Sequence, residues 1–261
     1  MLEIARYDGR KRLTGALAMT VGIAALTAMY VGLFPSITSA ANLDEIIAAY
    51  PPAFREAFDI RTMNTIEGFL ATQLYAFAWV ILLGLYFAYA AAGLVAADVE
   101  RGRMDMTLSL PVSRGRVVLE KFASLSVPLF VANAAMPVVV FVSTLAIGEE
   151  VAMERVLMAH VLSVPYLLAC AGIGLLASVV VDRASVAQRA AAGAVFALFL
   201  VESVVAGTDL EPLGALSPTR YYVPSEILVD GTYDLGGAAA LLAGTAVLVL
   251  LSREWFRRRD V

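Results

Sequence analysis

The sequence predicts an all-α protein: a polytopic membrane bundle of six transmembrane helices with both termini in the cytoplasm. Three observations carry that prediction. The 261 residues are 60% hydrophobic and their mean hydropathy is +0.79, where soluble domains lie nearer half apolar. The apolar excess is gathered into six blocks, each long enough or nearly so to supply the roughly 20 residues that cross a hydrocarbon core. The basic residues fall on alternate connections between those blocks.

The blocks run, in order, over residues 13–34, 68–97, 122–147, 156–181, 190–206 and 236–252. Pro35 is expected to close the first, because proline cannot donate the next helical hydrogen bond. That block is too long for the core of a secretory leader, so no cleavable leader is expected. The second exceeds one span and must tilt or project. Glu202 interrupts the fifth. Small residues recur four apart at Ala18/Gly22, at Ala88/Ala92/Ala96 and at Gly236/Ala240/Gly244. Such stripes let helices approach closely in lipid, although alanine is so common here that composition alone accounts for any one of them.

Orientation follows from charge. The N-terminal tail holds Arg6, Arg10, Lys11 and Arg12, and the connection after the second block holds Arg101, Arg103, Arg114, Arg116 and Lys121. The connection after the fourth holds Arg183 and Arg189, and the tail holds Arg253, Arg257, Arg258 and Arg259. Only Arg55, Arg61, Arg155 and Arg220 of the 19 basic residues lie on the other side. The positive-inside rule therefore places the first group in the cytoplasm. Two outer segments, 35–66 and 207–235, are longer than simple links. In the first, Ile46, Ile47, Tyr50, Phe54 and Phe58 form an apolar face interrupted by Pro51 and Pro52, which reads as two short interfacial helices. In the second, Pro212, Pro218 and Pro224 forbid a spanning helix. That leaves either a short dip into the membrane, with Tyr221 and Tyr222 at headgroup depth, or an ordered external loop.

Reactive chemistry is sparse. The two lysines, Lys11 and Lys121, follow no GxxxxG run, so there is no phosphate-cradling P-loop and no enzymatic activity is expected of the chain. His160 stands alone, and a packed histidine is the expectation. Ser163, Ser178 and Ser203 lack a His/Asp arrangement, the nine methionines are not paired for copper, and Cys170 is single. No catalytic, cofactor-binding or metal-ligating residue is expected, and no nucleic-acid partner. Glu202 lies thirteen residues beyond Arg189, roughly 20 Å along a helix and hence in the outer third. An ionisable group there either snorkels outward or lines a transport path.

One charged island remains, "RGRMDMTLSLPVSRGR", from Arg101 to Arg116. Met104, Thr107 and Leu108 share one face of a short helix. Pro111 is expected to stop it, and Ser113 to cap the helix that follows. Such a helix is either a docking knob for a partner or an interfacial helix whose arginines hold lipid phosphates.

The pattern Glu100, Gly102, Thr107–Leu108, Leu110–Pro111, Ser113–Arg114 and Lys121–Phe122 resembles the segment after the second span in permease subunits of ATP-binding cassette transporters, of the type-two exporter group with six spans. The head "IARYDGRKR", the run "LSPTRYY" and the tail "REWFRRRDV" are similar as well. Two positions depart from the pattern: Glu120 stands where glycine usually precedes the lysine, and Tyr7–Asp8 where the elbow helix usually carries glutamate. The resemblance implies a single permease domain over 1–261, with an elbow at 1–12 and a cytoplasmic coupling loop at 98–121. It further implies an exporter in the plasma membrane that pairs with a second permease copy or paralogue. A separate ATPase subunit would hold ATP and Mg. Glu100, Arg101, Arg103, Met104, Thr107, Leu108, Pro111 and Arg114 would couple to that ATPase, with Met104 and Leu108 as anchors. The alternative is a stand-alone secondary transporter or an assembly factor. Secondary transporters usually break their spans in the middle, whereas Pro128, Pro137 and Pro165 are few and unpaired.

Overall fold

The computed structural model describes residues 3–40, 42–50, 55, 60–109 and 111–259. Eight helices are used below: α1 Glu3–Ala40, α2 Leu43–Ala48, α3 Ile66–Glu100, α4 Arg103–Leu108, α5 Arg114–Ala146, α6 Met153–Val180, α7 Ala184–Val205 and α8 Leu235–Arg258. Six of them, all but α2 and α4, are long and apolar enough to cross a membrane. No strand occurs among the described residues.

The helices follow from their sequences, with three differences from expectation. Pro35 does not end α1. The chain stays helical to Ala40, while the hydroxyls of Thr38 and Ser39 donate back to the carbonyls of Phe34 and Ser36 at 2.9 and 3.1 Å. The described part of the expected elbow segment continues into the first span without a break, since α1 is helical from Glu3. Its 38 residues give a rod of about 57 Å, which exceeds the hydrocarbon thickness. In α3, residues Leu70–Leu83 are wound as a π-helix between α-helical ends. Their uncharged, mostly apolar run carries no periodicity that would have revealed it.

The core lies between α3 and α6. Ala88, Ala92 and Ala96 are all fully buried, so the second stripe of small residues is a real contact. A Cβ on Gly174 of α6 would stand 2.1 Å from the carbonyl oxygen of Ala88. Just beyond, the Ser178 hydroxyl accepts from the backbone of Val95 and Ala96 at 2.9 and 3.1 Å. The other two stripes lie on exposed faces, where Gly22 and Gly244 meet nothing within 4 Å. Gly174→Leu should therefore force α3 and α6 apart and lower the unfolding temperature by about 10 °C, as overpacking does, while Gly22→Leu leaves it unchanged. Thermal unfolding of the two purified variants checks this.

The alternation of the spans sorts the charges. At one end, here the basic end, Glu100 accepts from Ala184 N at 3.0 Å, Arg259 donates to the carbonyl of Val179 at 2.6 Å, and Arg253 packs on Gly115. At the far end, residues 211–230 fold into 3-10 turns Glu211–Leu216 and Pro218–Tyr221 and a π turn Glu226–Asp230. This segment is ordered on the end of α6. Tyr222 donates to Ala159 O at 3.0 Å and stacks on Tyr166 at 5.4 Å between centroids, and Arg155 donates to the carbonyls of Leu228 and Val229 at 3.0 and 2.7 Å. Tyr222 is thus buried in protein. Of the two short outer helices expected, α2 is the first. The second, with Pro51, Pro52, Phe54 and Phe58, lies outside the described residues.

Candidate functional site

Two places concentrate polar chemistry. The first is α4, on the basic end. Gly102, at φ +63°, turns the chain out of α3, and Ser113 caps α5 by accepting from Arg116 N at 3.4 Å. Between them, α4 presents a face opposite to the expected one. Met104 is 1% exposed and Leu108 packs half-buried against the same core, whereas Met106 is 66% exposed. The spacing of Met104, Thr107 and Leu108 marked an apolar face correctly. That face covers the protein's own bundle, so Met104 is unavailable as an outward anchor. The remaining island residues divide. Arg101, Arg103 and Pro111 are exposed and Thr107 is half-buried. Glu100 caps α7, and Arg114 donates to the carbonyl of Arg259. Leu110 lies outside the described residues.

Behind α4 sits a charge junction that sequence reading missed. Lys121 is 5% exposed and donates to Asp8 at 3.2 Å and to Asp98. The other oxygen of Asp98 takes Arg103 of α4 at 2.7 Å. One residue earlier, Glu120 accepts from Ile4 N at 3.0 Å and Ala5 N at 3.4 Å, and from Arg116 at 2.6 Å. One turn later, Arg12 donates to the Ser124 hydroxyl at 3.2 Å. Residues 4, 8 and 12 of α1 thus meet 120, 121 and 124 of α5 turn by turn, as helical spacing requires. Asp8 and Glu120, the two departures from the family pattern, fall on this one strip. The signal was present as a double anomaly, but nothing local connected positions more than a hundred residues apart.

The second place is a cavity of about 630 Å³ toward the far end, within the range of small-molecule sites. Tyr30 of α1, Gln73 and Phe77 of the π-wound stretch, Phe199 and Glu202 of α7, and Arg220 of the outer segment contribute to its wall. Glu202 is therefore cavity-lining. One of its oxygens lies 3.7 Å from Arg220 Nη1, and the other is buried with no hydrogen-bond partner among the described residues. The hydrogen bonds of Arg220 go instead to Glu211, at 2.7 Å to its carboxylate and 2.9 Å to its carbonyl. His160 is enclosed elsewhere, with Nδ1 2.8 Å from Val156 O and its ring edge-on to Trp79 and Tyr75 at 4.9 and 5.4 Å.

Long apolar helices in one bundle, with a cavity in its wall and a short helix fastened across one charged end, define a multi-pass helical membrane protein. A family model described as ABC-2 family transporter protein matches residues 10–261. The chain belongs to this family and is a permease-type membrane protein of ATP-binding cassette transport. No curated protein matches the chain.

Proposed function

We propose that the chain is the membrane-spanning subunit of an ATP-binding cassette exporter in the plasma membrane. It works as a dimer with a second permease copy or paralogue and is driven by a separate ATPase that binds and hydrolyses Mg–ATP. The basic end faces the cytoplasm, as the positive-inside rule requires. The observation that carries the reading is α4: a six-residue helix held rigidly on its inner face by Met104 while Met106 projects outward from the basic end. A helix fixed to the bundle by Asp98 and Lys121 passes a push from outside directly to α1, α3 and α5. The far-end cavity, lined by Glu202, is the path's substrate chamber.

The test is co-purification with a P-loop ATPase, sought first among the products of neighbouring genes. Interface energy concentrates in a few buried anchors, and rim charges tune association. Met106→Asp should cut ATPase retention and the hydrolysis of the complex about tenfold, Arg101→Ala much less, with the permease still inserted. Wild-type retention by Met106→Asp, or an ATPase that never co-purifies, would sink the coupling reading. A lipid-facing α4 would show the reverse order, with the arginine change dominating.

A further inference from the structure

Resting on the permease reading for its place in transport, we propose that the far-end cavity selects lipophilic cations: amphiphiles that carry one fixed positive centre on an aromatic or aliphatic body. Three features of the wall lead there. First, the lining holds two carboxylates, Glu202 and Glu226, and two guanidinium groups, Arg61 and Arg220, and both arginines are also taken up by carboxylates that stand outside the lining. Arg61 is engaged by Glu226 at 3.3 Å and by Asp230, and Arg220 by Glu211 at 2.7 Å. Glu202 is left with one oxygen 3.7 Å from Arg220 and the other without a hydrogen-bond partner among the described residues. Counting Glu211 and Asp230, which pair with the arginines from outside the lining, four carboxylates surround two arginines, and the charge left over in this cluster is negative. Such an imbalance repels an anion and is relieved by a cation.

Second, the cavity wall is rich in rings. Tyr30, Phe77, Phe199 and Tyr222 all border the space, and ring faces attract a desolvated cation within about 6 Å. A strongly hydrated small cation gains little from such walls. A quaternary or phosphonium-like centre, already poorly hydrated, gains most. Third, the remaining wall is aliphatic, including Val80, Ile81 and Ala206, which suits an apolar body. Thr72 and Gln73 offer the polar contacts that would orient it. Those two residues come from the π-wound part of α3, a winding that recurs at functional sites.

Tetraphenylphosphonium and tetraphenylborate are the probes, because they share shape and differ in the sign of charge. Saturable binding of each to the full chain in lipid nanodiscs is measured by equilibrium dialysis, with empty nanodiscs subtracted. Tetraphenylphosphonium should bind at least tenfold tighter than tetraphenylborate. Glu202→Gln should weaken it about tenfold, Glu202→Asp should restore most of the affinity, and Phe77→Ala should weaken it severalfold. Equal affinity for the two ions, no saturable phosphonium binding, or wild-type affinity in both Glu202→Gln and Phe77→Ala would overturn the proposal. Folding is followed at the single buried thiol, Cys170, which stays unreactive in an intact bundle. If Glu202→Gln exposes it, Phe77→Ala decides. ATPase retention is scored on the same preparations. Retention without phosphonium binding removes the cation assignment alone, and phosphonium binding without any ATPase removes the permease reading alone.

Discussion

Met104→Asp is expected to strip α4 from the bundle, while Met106→Asp leaves the fold as it is. The two residues are two positions apart on a six-residue helix, yet one is 1% exposed and the other 66%. Removing a buried methionine side chain costs about 2–5 kcal/mol, and an unpaired buried carboxylate costs about as much again or draws in water. A loss of that size exceeds what a short peripheral helix can hold, so α4 should detach. The peptide bonds after Arg101 and Arg103 then become substrates for trypsin. Limited proteolysis of the detergent-purified chain should show cleavage at these sites at least tenfold faster in Met104→Asp, and unchanged in Met106→Asp. Equal protection in both variants would mean that Met104 does not hold the helix. Together with the retention assay, the pair separates an inward structural anchor from an outward docking residue on the same turn.

The second large effect is expected at Lys121. Its ammonium lies between Asp8 and Asp98, and its side chain is 6% exposed against 20% and 17% for the two carboxylates. Lys121→Ala leaves two part-buried carboxylates facing one another, with Arg103 still paired to Asp98. Removing one partner of a buried pair typically costs about 3–5 kcal/mol, and the partial exposure here puts the value near about 3. Adding Asp8→Asn and Asp98→Asn to Lys121→Met should recover much of the loss, because the uncompensated charges are then gone. Thermal unfolding followed by the reactivity of Cys170 gives the comparison. A triple variant no better than Lys121→Met would show that packing, and not charge, holds this junction.

Much of the bundle was legible because hydropathy and the sign of charge both vary along the chain on the scale of a span. The six long helices, the short helix before Pro111 and the cap at Ser113 all came from such local patterns. What local patterns lack is direction. The i, i+3, i+4 spacing of Met104, Thr107 and Leu108 marks a face, and only the surface behind it decides whether that face looks inward. Pro35 misled for a related reason: a single lost hydrogen bond is tolerated when the residues after it remain helical. The pairing of Glu202 with Arg220 crosses eighteen residues of proline-broken chain, and Lys121 with Asp8 crosses the whole first half of the bundle. Neither leaves a trace in periodicity. Glu202 itself was visible, since a carboxylate in an apolar block stands out whatever its partner.

The winding of α3 ties these regions together in another way. An α-helix advances about 100° per residue, and a π-helix, with its i→i+5 bonds, advances less. Over the fourteen residues from Leu70 to Leu83 that difference accumulates as an angular lag between Gln73, on the cavity wall, and Asp98, at the junction. The rod is continuous from Ile66 to Glu100, so its two ends are phased like the two cams of one shaft. Returning even one turn of this stretch to α-winding would rotate Asp98 about the shaft axis relative to the chamber, and α4 with it. The pitch of this stretch therefore sets the bearing of Asp98 relative to the chamber.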